Sequence, residues 1–232
     1  MTLQGADDFP RDKSVGDATN ALMRAGLGMI PLAGAPAVEL LNYLVAPPLE
    51  QRRNEWFQQI GEKLKELEEK QGIPLQSLRD NRTFIDTVMQ ATQVAIRTSQ
   101  EEKKKALRNV VINSALPASP EITFQQLFIS YIDVFTIWHI RLLDLFNNPA
   151  LWATKRNHQF PKLMFGGLSD ILESAFPELS GRRDLYDQIW KDLTAKGLVN
   201  TDSLHVTMSA SGLMEKRTSG IGEQFIKFIS EA

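Results

Sequence analysis

The sequence predicts a mainly α-helical protein: a helical bundle around a central apolar helix at about 121–147, followed by a winged-helix-like α+β unit with one two-stranded hairpin. Three observations lead to this prediction. Apolar residues recur at three- and four-residue steps through most of the chain, which is the period of a helix. Prolines and glycines separate these stretches. Near residue 206, apolar and polar residues alternate as they do in a strand.

The composition is that of a globular protein with its own core. Of the 232 residues, 43% are hydrophobic and 23% are charged, which are values typical of folded domains. Cysteine is absent, so disulfides and thiolate metal sites are excluded, and a reducing, cytoplasmic compartment is expected. The formal net charge of -2 gives the chain as a whole no attraction to nucleic acid or to anionic lipid.

We predict four segments along the chain: a flexible tail at 1–17, the helical bundle at 18–148, a connector at 149–167 and the winged-helix-like unit at 168–232. The tail is polar and acidic, and it lacks the charged-then-apolar pattern of a signal peptide. The connector contains prolines, glycines and scattered aromatic residues, a composition typical of loops.

The stretch at 25–48 is small and apolar, and four prolines interrupt it: Pro31, Pro36, Pro47 and Pro48. Its longest uninterrupted piece would be about 15 Å long as a helix, against about 30 Å for the hydrocarbon core of a bilayer. We therefore predict a kinked hinge that packs beside the central helix and breaks at the last two prolines. Insertion into a membrane would require partial unfolding.

Two amphipathic helices are predicted before the central one. The first has Arg52 and Arg53 in its first turns and ends at Gly72. Its apolar face consists of Leu49, Trp56, Phe57, Ile60, Leu64 and Leu67. The second starts near Asn81 and is expected to continue as one helix towards Pro117.

The central helix is apolar nearly all round and is rich in aromatic residues. It has the length of a membrane span, but it contains Asp133, His139, Arg141 and Asp144. A charge at the centre of a bilayer costs roughly 2.5–3.5 kcal/mol or more. We therefore predict a buried helix of a soluble protein.

Four residues of this helix form the candidate site: Trp138, His139, Arg141 and Asp144. We interpret them as an interaction or buried polar cluster that anchors the helix, because no orienting partner for acid–base chemistry lies at helical spacing. No histidine of the chain has a second histidine one turn away, so no metal ion and no cofactor are expected. We predict no catalytic residue.

Two further patterns are weighed and set aside. The segment Arg108–Asn113, RNVVIN, comes close to the arginine, spacer, histidine pattern of HEPN ribonucleases, but its last position is asparagine, so the required histidine is missing. The charge cluster Glu101–Lys105, EEKKK, is interpreted as a solvated helix surface whose glutamates pair with lysines one turn on.

The C-terminal residues predict helices, then a hairpin, then a closing helix from Gly220. The strand at 204–208 alternates apolar and polar residues, and SASG at 209–212 supplies a turn before a second strand. Residues 181–232 carry seven basic and seven acidic side chains. Only Lys216 and Arg217 are suited to DNA backbone contacts, so a wing that packs against protein is favoured over one that reads DNA.

The ordered stretches IPLAG, APPLEQRRNEWFQQIGEKLKELEE and FISYIDVFTIWHIRLLDLF, within Ile30–Phe146, resemble a group of uncharacterised bacterial helical proteins that have no assigned activity. The ending RTSGIGEQFIKFI is similar to the closing helix of winged-helix-type tails in some abortive-infection (Abi-alpha-like) proteins. The resemblance implies a bacterial, helical protein and transfers no catalytic residue.

Three functional hypotheses remain open on the sequence. The leading one is a non-enzymatic cytoplasmic protein that acts through a protein partner or through self-association. The second is a DNA-binding winged-helix regulator that uses Lys216 and Arg217. The third is a membrane-acting effector in phage defence that uses the stretch at 25–48.

Overall fold

The computed structural model describes the backbone of residues 36–231 and the side chains of residues 48–231. The chain divides at Pro48, and the residues from Leu49 onward form one compact unit. Across the described residues there are eleven α-helices and one antiparallel strand pair, which confirms the mainly α fold. None of these helices combines the length and apolar character needed to cross a bilayer.

The elements are numbered here in chain order. The helices are α1 (Pro36–Gln71), α2 (Leu75–Leu78), α3 (Arg82–Arg97), α4 (Glu101–Ser114), α5 (Ile122–Val134), α6 (Ile137–Asn147), α7 (Pro149–Arg156), α8 (Leu168–Ala175), α9 (Arg183–Ala195), α10 (Ala210–Leu213) and α11 (Gly220–Ile229). The strands are β1 (Phe165–Gly166) and β2 (Met208–Ser209), and a short 3-10 turn covers Pro177–Leu179.

The break predicted at Pro47 and Pro48 is wrong, because the backbone of α1 is helical through both residues. The fixed φ of proline is close to the helical value, so the helix continues although two N–H donors are lost. Arg52 therefore lies inside a helix, and it donates to the main-chain oxygen of Ile96 (3.4 Å). The predicted hinge before residue 36 and the tail at 1–17 lie outside the described residues.

The single helix predicted from Asn81 towards Pro117 is two helices, α3 and α4, which pack against each other. Thr98 is extended (φ −103°, ψ 142°), and its Oγ1 accepts the main-chain N–H of Gln100 (3.2 Å). This local hydrogen bond offers the backbone an alternative to the helical one, so the chain turns there.

The predicted central helix is also two helices, α5 and α6, separated by the extended residues Phe135 and Thr136. Its apolar residues nevertheless form the core, as predicted. The fully buried side chains on these two helices are Phe128, Ile132, Leu142, Leu143, Leu145 and Phe146. Residues of α3, α4 and α11 pack around α5 and α6.

A two-stranded antiparallel pair is present, but only Met208 of the predicted strand at 204–208 belongs to it, and the predicted second strand is wrong. Met208 pairs with Gly166 and Ser209 with Phe165, so the partner strand lies in the predicted connector. The SASG segment is not a turn between strands, because Ser209 Oγ accepts the N–H of Gly212 (3.3 Å) and starts α10. Ser and Gly at such positions suit a helix N-cap as well as a turn.

The last helix, α11, packs against α4 and α6. Phe225 and Phe228 lie 5.3 and 6.0 Å from the ring of Phe128, measured between ring centroids. Near its start, a Cβ at Gly222 would overlap the main-chain oxygen of Leu198. A residue without a side chain is therefore required for α11 to lie this close to the preceding backbone.

We predict opposite effects for two glycine-to-alanine substitutions. Gly222→Ala forces α11 away from Leu198 and should lower the free energy of unfolding by about 1–3 kcal/mol. Gly61→Ala lies in an exposed part of α1 with open space around its Cβ, and should raise it by about 0.5–1 kcal/mol. Urea unfolding of both variants beside the wild type measures this, and equal effects would contradict the close approach.

Candidate functional site

His139 is the best-connected residue of the predicted polar cluster, and it is only 5% exposed. Its Nδ1 accepts the main-chain N–H of Thr136 (3.1 Å) and lies 2.9 Å from the hydroxyl oxygen of that residue. Because Nδ1 accepts, the ring proton is assigned to Nε2, which lies 3.3 Å from Oδ2 of Asp192 on α9. His139 therefore starts α6 and ties it to α9.

The surroundings of His139 disfavour its charged form. Burial is the main cause that lowers the pKa of His139 below its usual value near 6.5, and the cation of Lys103 lowers it further. The hydrogen bond and the negative charge of Asp192 oppose this shift. The ring of Phe135 stacks on the imidazole with a centroid distance of 4.6 Å.

The order hydroxyl, imidazole, carboxylate in Thr136, His139 and Asp192 is that of a nucleophile, a base and an orienting group. Here Nδ1 also receives the main-chain N–H of Thr136, which fixes the ring as part of the helix cap. A general base needs a nitrogen free to take the nucleophile's proton. The arrangement thus accounts for helix initiation, and this cap explains why the histidine sits at this position.

The other members of the predicted cluster contact different partners. Arg141 forms a two-point ion pair with Glu102 of α4, including Nε to Oε2 at 3.0 Å, and lies 4.9 Å from the ring centroid of Trp138. The hydrogen bond from Arg141 is the main cause that lowers the pKa of Glu102. Asp144 pairs with Arg156 of α7 (3.1 Å). Three of the four residues, His139, Arg141 and Asp144, anchor α6 to three different helices and do not converge on one point.

The two residues proposed for DNA contact already have protein partners. Lys216 Nζ lies 2.8 Å from Oε2 of Glu223. The Arg217 side chain is 13% exposed, donates to the main-chain oxygen of Gly212, and lies 3.5 Å from Glu215. Neither side chain is presented as an unpaired surface cation.

The remaining histidines are each bonded to a side chain of a different helix. His158 Nε2 lies 3.1 Å from Ser174 Oγ, and His205 Nε2 lies 2.7 Å from Asp187 Oδ1. Among the residues whose side chains are described, no group of three histidine, aspartate or glutamate residues could hold a metal ion.

The RNVVIN segment has a structural role that its sequence did not indicate. The side-chain amide of Asn113 donates to the main-chain oxygens of Phe228 (2.7 Å) and Ser230 (2.9 Å), and that of Asn109 donates to Ile229 (2.8 Å). The last carbonyls of a helix have no partner within the helix. These two asparagines of α4 supply those partners to α11.

Two features were missed by sequence reasoning. Met164, Phe165 and Val206 are 80%, 67% and 50% exposed and lie on the β1–β2 ribbon or just before it. The adjacent apolar letters LMF in a predicted connector were the available signal.

Within the charge cluster, Lys105 is exposed as predicted (62%), but Lys103 is only 8% exposed, so the solvated-surface prediction is wrong for that residue.

Comparisons of this chain with protein family models, with curated proteins and with solved structures find no match. The geometry of the described residues is therefore the basis for the functional proposal.

Asn113→Ala should lower the free energy of unfolding by about 1–3 kcal/mol, because the main-chain oxygens of Phe228, which is buried, and of Ser230 lose their donor at the end of α11. Asn54→Ala, at an exposed position of α1, should change it by less than about 0.5 kcal/mol. Denaturant unfolding compares the two, and equal values would refute the role of Asn113.

The stability should also depend on pH through His139. Its folded-state pKa is below that of the unfolded chain, so the unfolded state binds more protons, and stability is lost as the pH falls from about 7.5 through 6.5. The slope in this window is at most about 1.4 kcal/mol per pH unit. His139→Gln keeps an acceptor at the same capping-box position without titrating, and should flatten the profile.

Asp192→Asn is a control that should change the pH dependence of stability in the opposite direction to His139→Gln. It removes the group that favours the imidazolium, so the loss of stability with falling pH should become steeper. Unfolding midpoints in urea between pH 5.5 and 7.5 measure both effects. A profile unchanged by His139→Gln would contradict the assignment.

Proposed function

We propose that this protein acts by binding an extended segment of a protein partner along the free edge of β1. The observation that carries the proposal is the exposure of Met164, Phe165 and Val206 beside a two-stranded ribbon. These three residues are called the ribbon patch below. Met164 and Phe165 are consecutive, and Val206 lies two residues before the partner strand, so this short ribbon presents apolar side chains to solvent, as interaction sites do.

The main chain of β1 supports strand addition. Ala210 N–H donates to the oxygen of Met164 (3.2 Å), and Gly166 pairs with Met208. In an antiparallel ladder alternate residues face the partner strand, so the N–H and C=O of Phe165 are directed to the open edge. An added strand can hydrogen-bond there while its side chains contact the ribbon patch.

The size of the patch favours a short segment over a second copy of the chain. The exposed fractions of its three side chains correspond to on the order of 350 Å² of apolar surface. A stable dimer buries about 800 Å² on each partner. Self-association through the ribbon patch is thus the less favoured form of the proposal.

The proposed role is non-catalytic and is assigned to the cytoplasm, for which the absence of cysteine is the support. The DNA-binding alternative is weakened by the ion pair of Lys216 with Glu223 and by the burial of Arg217. The membrane-acting alternative in phage defence depends on the stretch at 25–48 and has only the sequence in its favour.

A photoreactive phenylalanine analogue in place of Phe165 should cross-link an apolar, extended segment of a partner in cells. The same analogue in place of Phe57, which is 48% exposed on α1, is the matched control and should not label that segment. Mass spectrometry identifies the linked residues. Links from position 165 to another copy of the chain alone would contradict the proposal.

A synthetic peptide of the linked segment should then bind the purified protein, as measured by fluorescence anisotropy. Met164→Thr combined with Phe165→Thr keeps residues suited to a strand and should weaken binding at least about tenfold, a change of about 1.4 kcal/mol. If the double variant binds the peptide as tightly as the wild type does, the proposed binding surface is refuted.

A further inference from the structure

A cleft lies where α3 turns into α4. Its walls are formed by Arg97, Thr98, Ser99, Gln100, Lys103 and Asp133. The space is about 290 Å³ and opens to solvent, which is the lower end of the range for small-ligand sites. It is separate from the ribbon patch.

Lys103 carries a buried ammonium group into this cleft. The residue is 8% exposed, and its Nζ donates to the main-chain oxygen of Asp133 (3.0 Å) at the end of α5. Nζ has three N–H donors, and among the described side chains no carboxylate forms an ion pair with it. Buried charges in proteins are normally paired, and the nearby negative charge of Asp133 partly offsets this one.

The other cations and anions near the cleft are already matched. Arg97 pairs with Oδ2 of Asp133 (2.9 Å), which is the one carboxylate among the described residues that line the space. Glu102, in the first turn of α4, pairs with Arg141. Lys103 and Arg97 therefore share the negative charge of Asp133; burial is the main cause that lowers the pKa of the Lys103 amine, and the charge of Asp133 opposes this shift.

Neutral donors also line the cleft. Thr98 and Ser99 contribute hydroxyl groups to the walls, and Gln100 contributes a side-chain amide. The oxygen of Thr98 accepts the N–H of Gln100, which leaves its O–H free to donate outward. A cation with hydroxyl and amide donors is the chemistry that recognises a tetrahedral oxyanion.

We propose that this cleft binds a phosphate group, with Lys103 as the charge partner and Thr98, Ser99 and Gln100 as neutral donors. The phosphate can be free or carried by a small phosphomonoester. A phosphate oxygen can accept a further N–H of the buried ammonium and adds negative charge to a cleft in which two cations share one carboxylate.

Titration of the full chain with inorganic phosphate, followed by amide NMR shifts, tests the proposal. The amides of Ser99, Gln100 and Lys103 should shift together with a dissociation constant of about 1 mM. Phenyl phosphate in a parallel titration distinguishes a phosphomonoester from the free ion, because tighter binding indicates that the phosphate is carried by a molecule. Acetate at equal ionic strength should produce no comparable shift.

Three variants should affect the affinity for phosphate in ways that the proposal predicts. Lys103→Met should weaken phosphate binding at least about tenfold, whereas Lys105→Met, at an exposed neighbour, should leave it unchanged. Asp133→Asn removes the carboxylate from the cleft and should tighten binding. The Asp133 variant remains informative if Lys103→Met does not fold.

The proposal is overturned by any of three results: no amide shifts with either phosphate compound, equal binding by the Lys103 and Lys105 variants, or weaker binding by Asp133→Asn. None of these measurements involves the ribbon patch. Failure of the phosphate site and failure of the proposed partner binding are therefore distinguishable.

Discussion

The packing of α11 against α4 and against Phe128 of α5 is the contact on which the rest of the described fold depends. Phe225 and Phe228 cover the ring of Phe128, and the amides of Asn109 and Asn113 bind the carbonyls at the end of α11. Apolar burial supplies the attraction, and the amide bonds allow the helix end to be buried without orphaned acceptors.

The position of α11 also determines what surrounds it. Ser219 N–H donates to the oxygen of Leu198 (2.9 Å), and Arg217 N–H donates to the oxygen of Phe146 (2.8 Å). The segment before α11 is thereby held between α6 and the residues that follow α9. This explains why Arg217 is largely buried and unavailable to an external ligand.

Hydrophobic periodicity predicted most of the helices and much of the core, because burial of one face is a local property of the sequence. The core residues Trp56, Leu107 and Phe128 all follow from it. The helix breaks at Thr98 and Thr136 did not follow, since each depends on a hydrogen bond between a side chain and the nearby backbone that competes with the helix. The partner of β2 was missed because strand pairing is decided by tertiary contacts.

The chemical environment of single residues was the least predictable feature. His139 was predicted to anchor the helix, but its partner Asp192 lies 53 residues further along the chain, so no spacing rule connects the two. Lys103 stands among exposed charges in EEKKK, and only the turn between α3 and α4 places it against the end of α5. His139, Arg141 and Asp144 of α6 contact three different helices, which a helical wheel cannot show.

The long sequence separation between α4 and α11 has a consequence for how the protein is made. Asn113 binds residues 115 and 117 positions later, so these bonds cannot form until the residues of α11 have left the ribosome. Until then the nascent chain exposes the face of Phe128 that α11 will cover. Such exposed apolar surface is prone to aggregation, and chaperones bind it during synthesis. A chain released before residue 220 would keep this face uncovered, although it contains α3, α4 and α5 in full.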